Sequence, residues 1–203
     1  MTAAAILSIA LIHLIAAMSP GPSFVVAIRT AATDGFATAV ALAIGFGLGA
    51  ALWAAAAMAG LALLFELVPQ LFTALKIIGG AFLIFIAYKM WRHAPDPLPA
   101  AETTLPRSKS SAIWFGFLTF ASNPKTAVFF GAVFVGLVPQ DTSLATRLLL
   151  IAIIFANETL WYMLVARLFS TQKARRAYAR FKAWVDRSFS ALIAMFGLRI
   201  ALT

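Results

Sequence analysis

Cysteine is absent from the chain. No disulfide can form, no thiol can act as a nucleophile, and no Cys-ligated metal can be held. Charge is scarce as well: 11% of residues are Asp, Glu, Lys or Arg, and only seven of those are acidic. Histidine occurs twice, at His13 and His93. A metal site of clustered carboxylates and imidazoles has little to draw on. There is no HExxH, no GxSxG and no Ser/His pairing inside the apolar runs, so no hydrolytic enzyme is indicated. No cofactor is implied. The alternating pattern of a transmembrane β-barrel is also missing.

Hydrophobic residues fill the chain instead. They make up 63% of its 203 residues, and the mean hydropathy is +0.94. A soluble domain is about 45–50% apolar and about 25% charged. Too few polar residues remain to cover a water-facing surface, so this is an integral membrane protein. Six apolar stretches can be drawn, at 5–28, 38–62, 70–91, 112–138, 147–169 and 184–202. A spanning helix needs about 20 residues. We therefore expect an all-α membrane protein with six transmembrane helices in a single domain, 1–203. The first stretch opens without a basic residue, so it reads as a retained helix rather than a secretory signal.

The net charge is +9. Its distribution argues for topology rather than nucleic acid. Arg29, Lys89, Arg92, Arg107 and Lys109 lie in the first and third connections, and Arg167, Lys173, Arg175, Arg176, Arg180, Lys182 and Arg187 in the fifth. Lys76, Arg147 and Arg199 fall toward the other side. The positive-inside rule then puts connections one, three and five in the cytoplasm and both termini outside. The stretch from Arg167 to Arg187 interleaves these charges with Phe169, Tyr178, Phe181 and Trp184, and reads as an interfacial amphipathic helix facing lipid headgroups.

Nine prolines punctuate the chain. Pro95, Pro97, Pro99 and Pro106 mark a linker over 94–107; Pro69 opens one helix and Pro139 closes another. Only Pro20, Pro22 and Pro124 lie inside membrane runs. Proline lacks an N–H, clashes one turn back, and disfavours helix at the residue before it. Ser19-Pro20-Gly21-Pro22 and Ser122-Asn123-Pro124-Lys125 therefore read as broken helices. Asn123 is a good N-cap and Pro124 suits the first helical position; Gly21 and Pro22 can play the same parts. Each break starts a half-helix whose free N–H groups and positive dipole end lie at membrane depth, where they suit an anion. Lys125 sits against that dipole and costs about 2.5–3.5 kcal/mol by depth alone. An arriving anion would relieve it.

The linker divides the chain into halves, 1–93 and 108–203, each opening with its broken helix. Three helices per half give an inverted repeat, with a site near the midplane where the halves meet. Gly45 and Gly49 form a GxxxG, with Ala41 one turn earlier, and read as a close-packing face. No strand precedes them and no phosphate-binding lysine follows, so nucleotide binding is set aside. In the fifth helix Asn157 and Glu158 lie about ten residues from either end; Glu158 is the lone carboxylate deep in a span. Glu158 is either a structural partner for Lys125 or a functional group, and an intramembrane ionisable residue is functional by default. His13 has no partner at ligand spacing and reads as a packing residue.

A secondary transporter fits these features best. Lys125 and the two half-helix N-termini would receive a carboxylate; Asn157 and Glu158 would receive an ammonium or carry a coupling proton. The candidate substrate-binding residues are thus Pro20, Gly21, Pro22, Ser23, Asn123, Pro124, Lys125, Asn157 and Glu158. Export of another small ion, such as a metal cation, is the alternative, and a purely structural subunit would leave Lys125 and Glu158 unexplained.

Ser19-Pro20-Gly21-Pro22, the Gly45–Gly49 stretch, Leu75-Lys76-Ile77-Ile78-Gly79-Gly80-Ala81, and Asn123-Pro124-Lys125 followed by Phe129-Phe130 together carry a resemblance. Over nearly its whole length the chain resembles the LysE/RhtB family of amino-acid exporters. That resemblance implies multi-pass residence in the bacterial inner membrane and efflux of amino acids or related small metabolites, driven by the proton gradient. It leaves the particular amino acid open, and self-association into a homo-oligomer as well.

Overall fold

The structure is a computed structural model and describes residues 1–19, 21–61, 69–96, 108–134, 137–139 and 141–202. Pro20, Glu66, Gln140 and most of the linker lie outside these residues, as do the side chains of Lys76, Tyr178 and Arg199. Eight α-helices are described: α1 (Ala3–Met18), α2 (Pro22–Thr33), α3 (Phe36–Ala56), α4 (Pro69–His93), α5 (Lys109–Ala121), α6 (Pro124–Val128), α7 (Leu144–Phe169) and α8 (Gln172–Leu202). Single π-helical segments continue α3 over Ala57–Leu61 and α6 over Phe129–Phe134. No strand occurs among the described residues.

Local sequence sets the ends. Thr2 caps α1 by accepting from the Ala5 N–H at 3.3 Å, Ser108 caps α5 from Ser111, and Ser143 caps α7 from Thr146. Gly35, at φ 84°, takes the left-handed position that turns α2 into α3, where a side chain would be strained. Both breaks fall where the prolines put them. α1 ends at Met18 and α2 starts with Pro22, bent 63° from it. α5 ends at Ala121 and α6 starts with Pro124.

Two continuous helices, Phe36–Ala59 and Leu144–Phe169, are long and apolar enough to cross a bilayer; α1 and α2 would be a third if their bent pair is one crossing. The outer faces are apolar too, with Leu7, Leu11, Leu148, Leu160, Leu164 and Trp114 exposed. Such surfaces suit lipid, not water. This is a membrane protein.

The core surrounds α3, which packs on α5 and α7, while α4 and α8 form a second pair. Leu42, Ala43, Phe46, Ala50 and Ala54 of α3 are buried with Phe120 of α5 and with Leu150 and Ile154 of α7. α3 and α5 run parallel: Gly45 lies on Ile113 and Gly116, Gly49 on Phe120, and the Trp53 indole donates to the Ala121 carbonyl at 3.2 Å. α3 and α7 run antiparallel: Phe46 packs edge-on against Tyr162, Gly47 on Thr159, and Arg147 donates to the Met58 carbonyl at 2.9 Å. The small residues therefore pack helices closely, as their spacing predicts.

One expectation changes. The basic segment after Arg167 is not a separate interfacial helix. After a short turn at Ser170-Thr171 it forms the first turns of α8, which runs unbroken for 31 residues. Arg, Ala and Lys are strong helix formers, and no proline intervenes before Leu202. Lys182 anchors α8 on the C-terminal end of α4, donating to the carbonyls of His93 at 3.3 Å and Ala94 at 3.2 Å and pairing with Asp186 at 2.8 Å. A cation there suits the dipole of α4.

Candidate functional site

The two breaks meet. Lys125 leaves α6 and reaches the last turn of α1, where its ammonium donates to the Ser19 carbonyl at 2.8 Å, to the Ala16 carbonyl at 3.3 Å and to the Ser19 hydroxyl. These three bonds take up all three ammonium donors. The Ser19 hydroxyl in turn donates to the Ala16 carbonyl at 2.7 Å. Lys125 thus lies against the positive end of its own helix but on the carbonyl end of another, where a cation is favoured. The strain expected from its position in the sequence is relieved by α1 itself. Gly21 lies beside this reach, where a Cβ would stand 3.4 Å from the Lys125 stem, an ordinary contact.

Asn123 adds a second tie. Its side-chain oxygen accepts from the Lys125 backbone N–H at 3.0 Å, capping α6. Its amide nitrogen donates to the Ser23 hydroxyl at 3.0 Å, in the first turn of α2. Each break thus receives polar groups of the other, which is how interrupted backbone persists at membrane depth.

Beside this junction lies a cavity of about 40 Å³. That is room for a few waters. Its polar lining includes Ser19, Ser23, Asn123, Lys125 and Thr126; Phe120, Phe129, Phe130 and Tyr162 supply the apolar walls. His13 of α1 and Glu158 of α7 line it as well, with His13 Nε2 3.5 Å from a Glu158 oxygen. Both side chains are 2% exposed. His13 Nδ1 is buried without a hydrogen-bond partner. The His13 ring meets the Phe129 ring edge-on at 5.7 Å and the tilted Phe130 ring at 5.8 Å. The cavity therefore holds a donor-only cation, an acid beside an imidazole, and hydroxyl and amide groups between aromatic walls.

The profile of the LysE type translocator family matches residues 14–203. The chain belongs to that family. It is 34% identical over 200 residues to the threonine efflux protein of Salmonella typhi, covering 97% of each chain, and 33% identical over 201 residues to the threonine efflux protein of Escherichia coli K12, again 97% of each. An uncharacterized membrane protein of Haemophilus influenzae is 27% identical over 199 residues, covering 94% of this chain and 93% of that one. No solved structure gives a significant match. The LysE-type chain is a transporter, not an enzyme.

Of the residues the sequence singles out, Gly21, Ser23, Asn123, Lys125 and Glu158 come together on the cavity. Pro22 and Pro124 start the half-helices beside it, and Pro20 lies outside the described residues. Asn157 does not line the cavity; its amide donates to the Ala10 carbonyl at 2.9 Å and ties α7 to α1. Sequence reasoning treats His13 as packing and leaves out Thr126 and Tyr162. The one available signal for Tyr162 is its place one turn after Glu158. Among the described residues no group of three His, Asp or Glu side chains could hold a metal ion.

Proposed function

We propose that the chain exports an amino acid, or a closely related small metabolite, from the cytoplasm as a proton-coupled secondary transporter of the inner membrane. The observation that carries this reading is the cavity where the two breaks meet, with Lys125 at one pole and Glu158 with His13 at the other. A zwitterion presents the complementary pair of charges. On this reading Gly21, Ser23, Asn123 and Lys125 face the carboxylate, and the Glu158–His13 pair carries the coupling proton. Pro20, Pro22 and Pro124 keep the helix ends open around it, and Asn157 braces α1 against α7.

Six spans in two inverted repeats, 1–93 and 108–203, go with this function. The helix directions support the layout: α3 is parallel to α5 and antiparallel to α7, as spans two, four and five would be. Lys182 at the end of α4 makes α8 antiparallel to it, as spans three and six would be. Both termini would then lie outside. Alkaline phosphatase fused at the C-terminus should be active, and a fusion at Pro97 inactive. The reverse pattern would overturn the orientation.

Transport in proteoliposomes tests the function. With a pH gradient imposed, a panel of labelled amino acids that includes L-threonine, after the relatives' name, should contain at least one that moves faster than through protein-free vesicles. No transport of any member would sink the reading. Glu158→Gln should abolish gradient-driven movement while leaving substrate exchange largely intact. Wild-type behaviour in both assays would make Glu158 structural.

A further inference from the structure

His13 stands beside Glu158 in the cavity with no bond of its own to substrate or partner assigned so far. Its Nε2 faces Glu158 at 3.5 Å, its side chain is 2% exposed, and its Nδ1 has no hydrogen-bond partner. A neutral imidazole carries one proton. The carboxylate oxygen beside Nε2 draws that proton to Nε2, which leaves Nδ1 an acceptor. A buried acceptor without a donor asks for one. Lys125, the nearby cation, spends its three donors on Ala16 and Ser19. Among the described residues the cavity is lined by no other cation.

We propose that His13 Nδ1 is the receptor for the α-ammonium of the exported molecule, with Glu158 holding the imidazole tautomer from the far side. An ammonium offers three donors and no acceptor, so it suits Nδ1, and the Glu158 charge favours it from across the ring. The same lone pair takes a proton when the site is empty. The imidazolium so formed is neutralised by Glu158 through Nε2. Proton and ammonium then exclude each other at one atom. Loading the substrate from the cytoplasm releases one proton there, and releasing the substrate outside lets one proton bind for the return. One proton enters for each molecule that leaves. This deepens the export reading and rests on it.

The titratable or charged groups around the imidazole are Glu158 and Tyr162 from α7 and Lys125 from α6; the cavity residues of α2 and α5 contribute none. Lys125 is bonded to α1, and Tyr162 packs on Phe46. The exchange therefore belongs to the His13–Glu158 pair.

The test is equilibrium binding of labelled L-threonine, and of its deamino analogue, to the purified full-length protein across about pH 5–8. Threonine affinity of the wild type should fall as pH falls, approaching tenfold per unit, while the analogue is far less sensitive. His13→Phe should weaken threonine binding by about ten- to a hundredfold and leave analogue binding little changed. His13→Asn keeps an acceptor near Nδ1 but cannot take a proton. It should bind threonine within a few-fold of wild type and lose the pH slope. It also serves if His13→Phe fails to fold. Wild-type threonine affinity in His13→Phe, a pH-independent wild type, or a wild-type slope in His13→Asn would each overturn the assignment while leaving export standing. A wild type that binds and transports no amino acid of the panel would overturn both.

Discussion

Gly45→Val should remove most of the folded protein from the membrane. A Cβ at Gly45 would overlap the Ile113 carbonyl and stand 2.8 Å from the Phe117 backbone nitrogen. Both obstacles are backbone, so no side chain can rotate out of the way. Gly116 faces the same contact from α5, where a Cβ would overlap the Leu42 carbonyl. α3 and α5 would have to separate along the face that buries Leu42, Phe46 and Phe120. Overpacking typically costs about 1–3 kcal/mol, and a backbone clash belongs at the upper end or beyond. At about 3 kcal/mol the thermal midpoint of a chain this long should fall by roughly 6–12 °C. Size-exclusion profiles and melting in detergent would read this directly. Gly21→Ala is the control, because its Cβ would meet only the flexible Lys125 stem at 3.4 Å. That variant should melt close to wild type. If Gly45→Val melts there too, the two helices do not approach along this face.

The contrast between these glycines shows which parts of the molecule can be read from its residues. Small residues at helical spacing announce close packing, and prolines inside an apolar run announce a break, because both act through local backbone chemistry. The Asn123 cap and the start of α6 at Pro124 follow from the same local rules. Partners across the fold leave no such mark. The Lys125 ammonium binds the carbonyls of Ala16 and Ser19, and any residue has a carbonyl. His13 and Glu158 lie in opposite halves of the chain, so neither predicts the other. Asn157 illustrates a different gap. Adjacent helical positions point about 100° apart, so Asn157 and Glu158 cannot both face one small cavity. Which of the two turns inward is decided by packing against α1, where Asn157 finds the Ala10 carbonyl. The length of α8 escapes for a simpler reason: charge marks where lipid ends, but it does not end a helix.

Lys125→Met should have two effects that can be measured apart. Methionine keeps the length of the stem and removes the charge. The Ser19 carbonyl then loses its 2.8 Å donor, while the Ala16 carbonyl still accepts from the Ser19 hydroxyl and backbone N–H. One buried acceptor left unmet destabilises by about 1–3 kcal/mol. The ligand-free protein should melt lower by a corresponding amount. The second effect appears only with ligand. In our reading the ammonium stands where the substrate carboxylate arrives, and a charge-assisted bond contributes about 1.5–3 kcal/mol. Losing it should weaken binding of the transported amino acid by roughly ten- to a hundredfold. The amide of that amino acid lacks the carboxylate, so its affinity should change little. The amide thereby separates the two roles. A variant that melts lower and loses both ligands equally makes Lys125 a strut that joins the breaks and nothing more. A variant that melts lower and binds both as wild type does so as well, and moves the carboxylate to the start of α2. Loss of the amino acid alone leaves Lys125 as both strut and receptor, its bonds to α1 exchanged in part for a bond to the substrate.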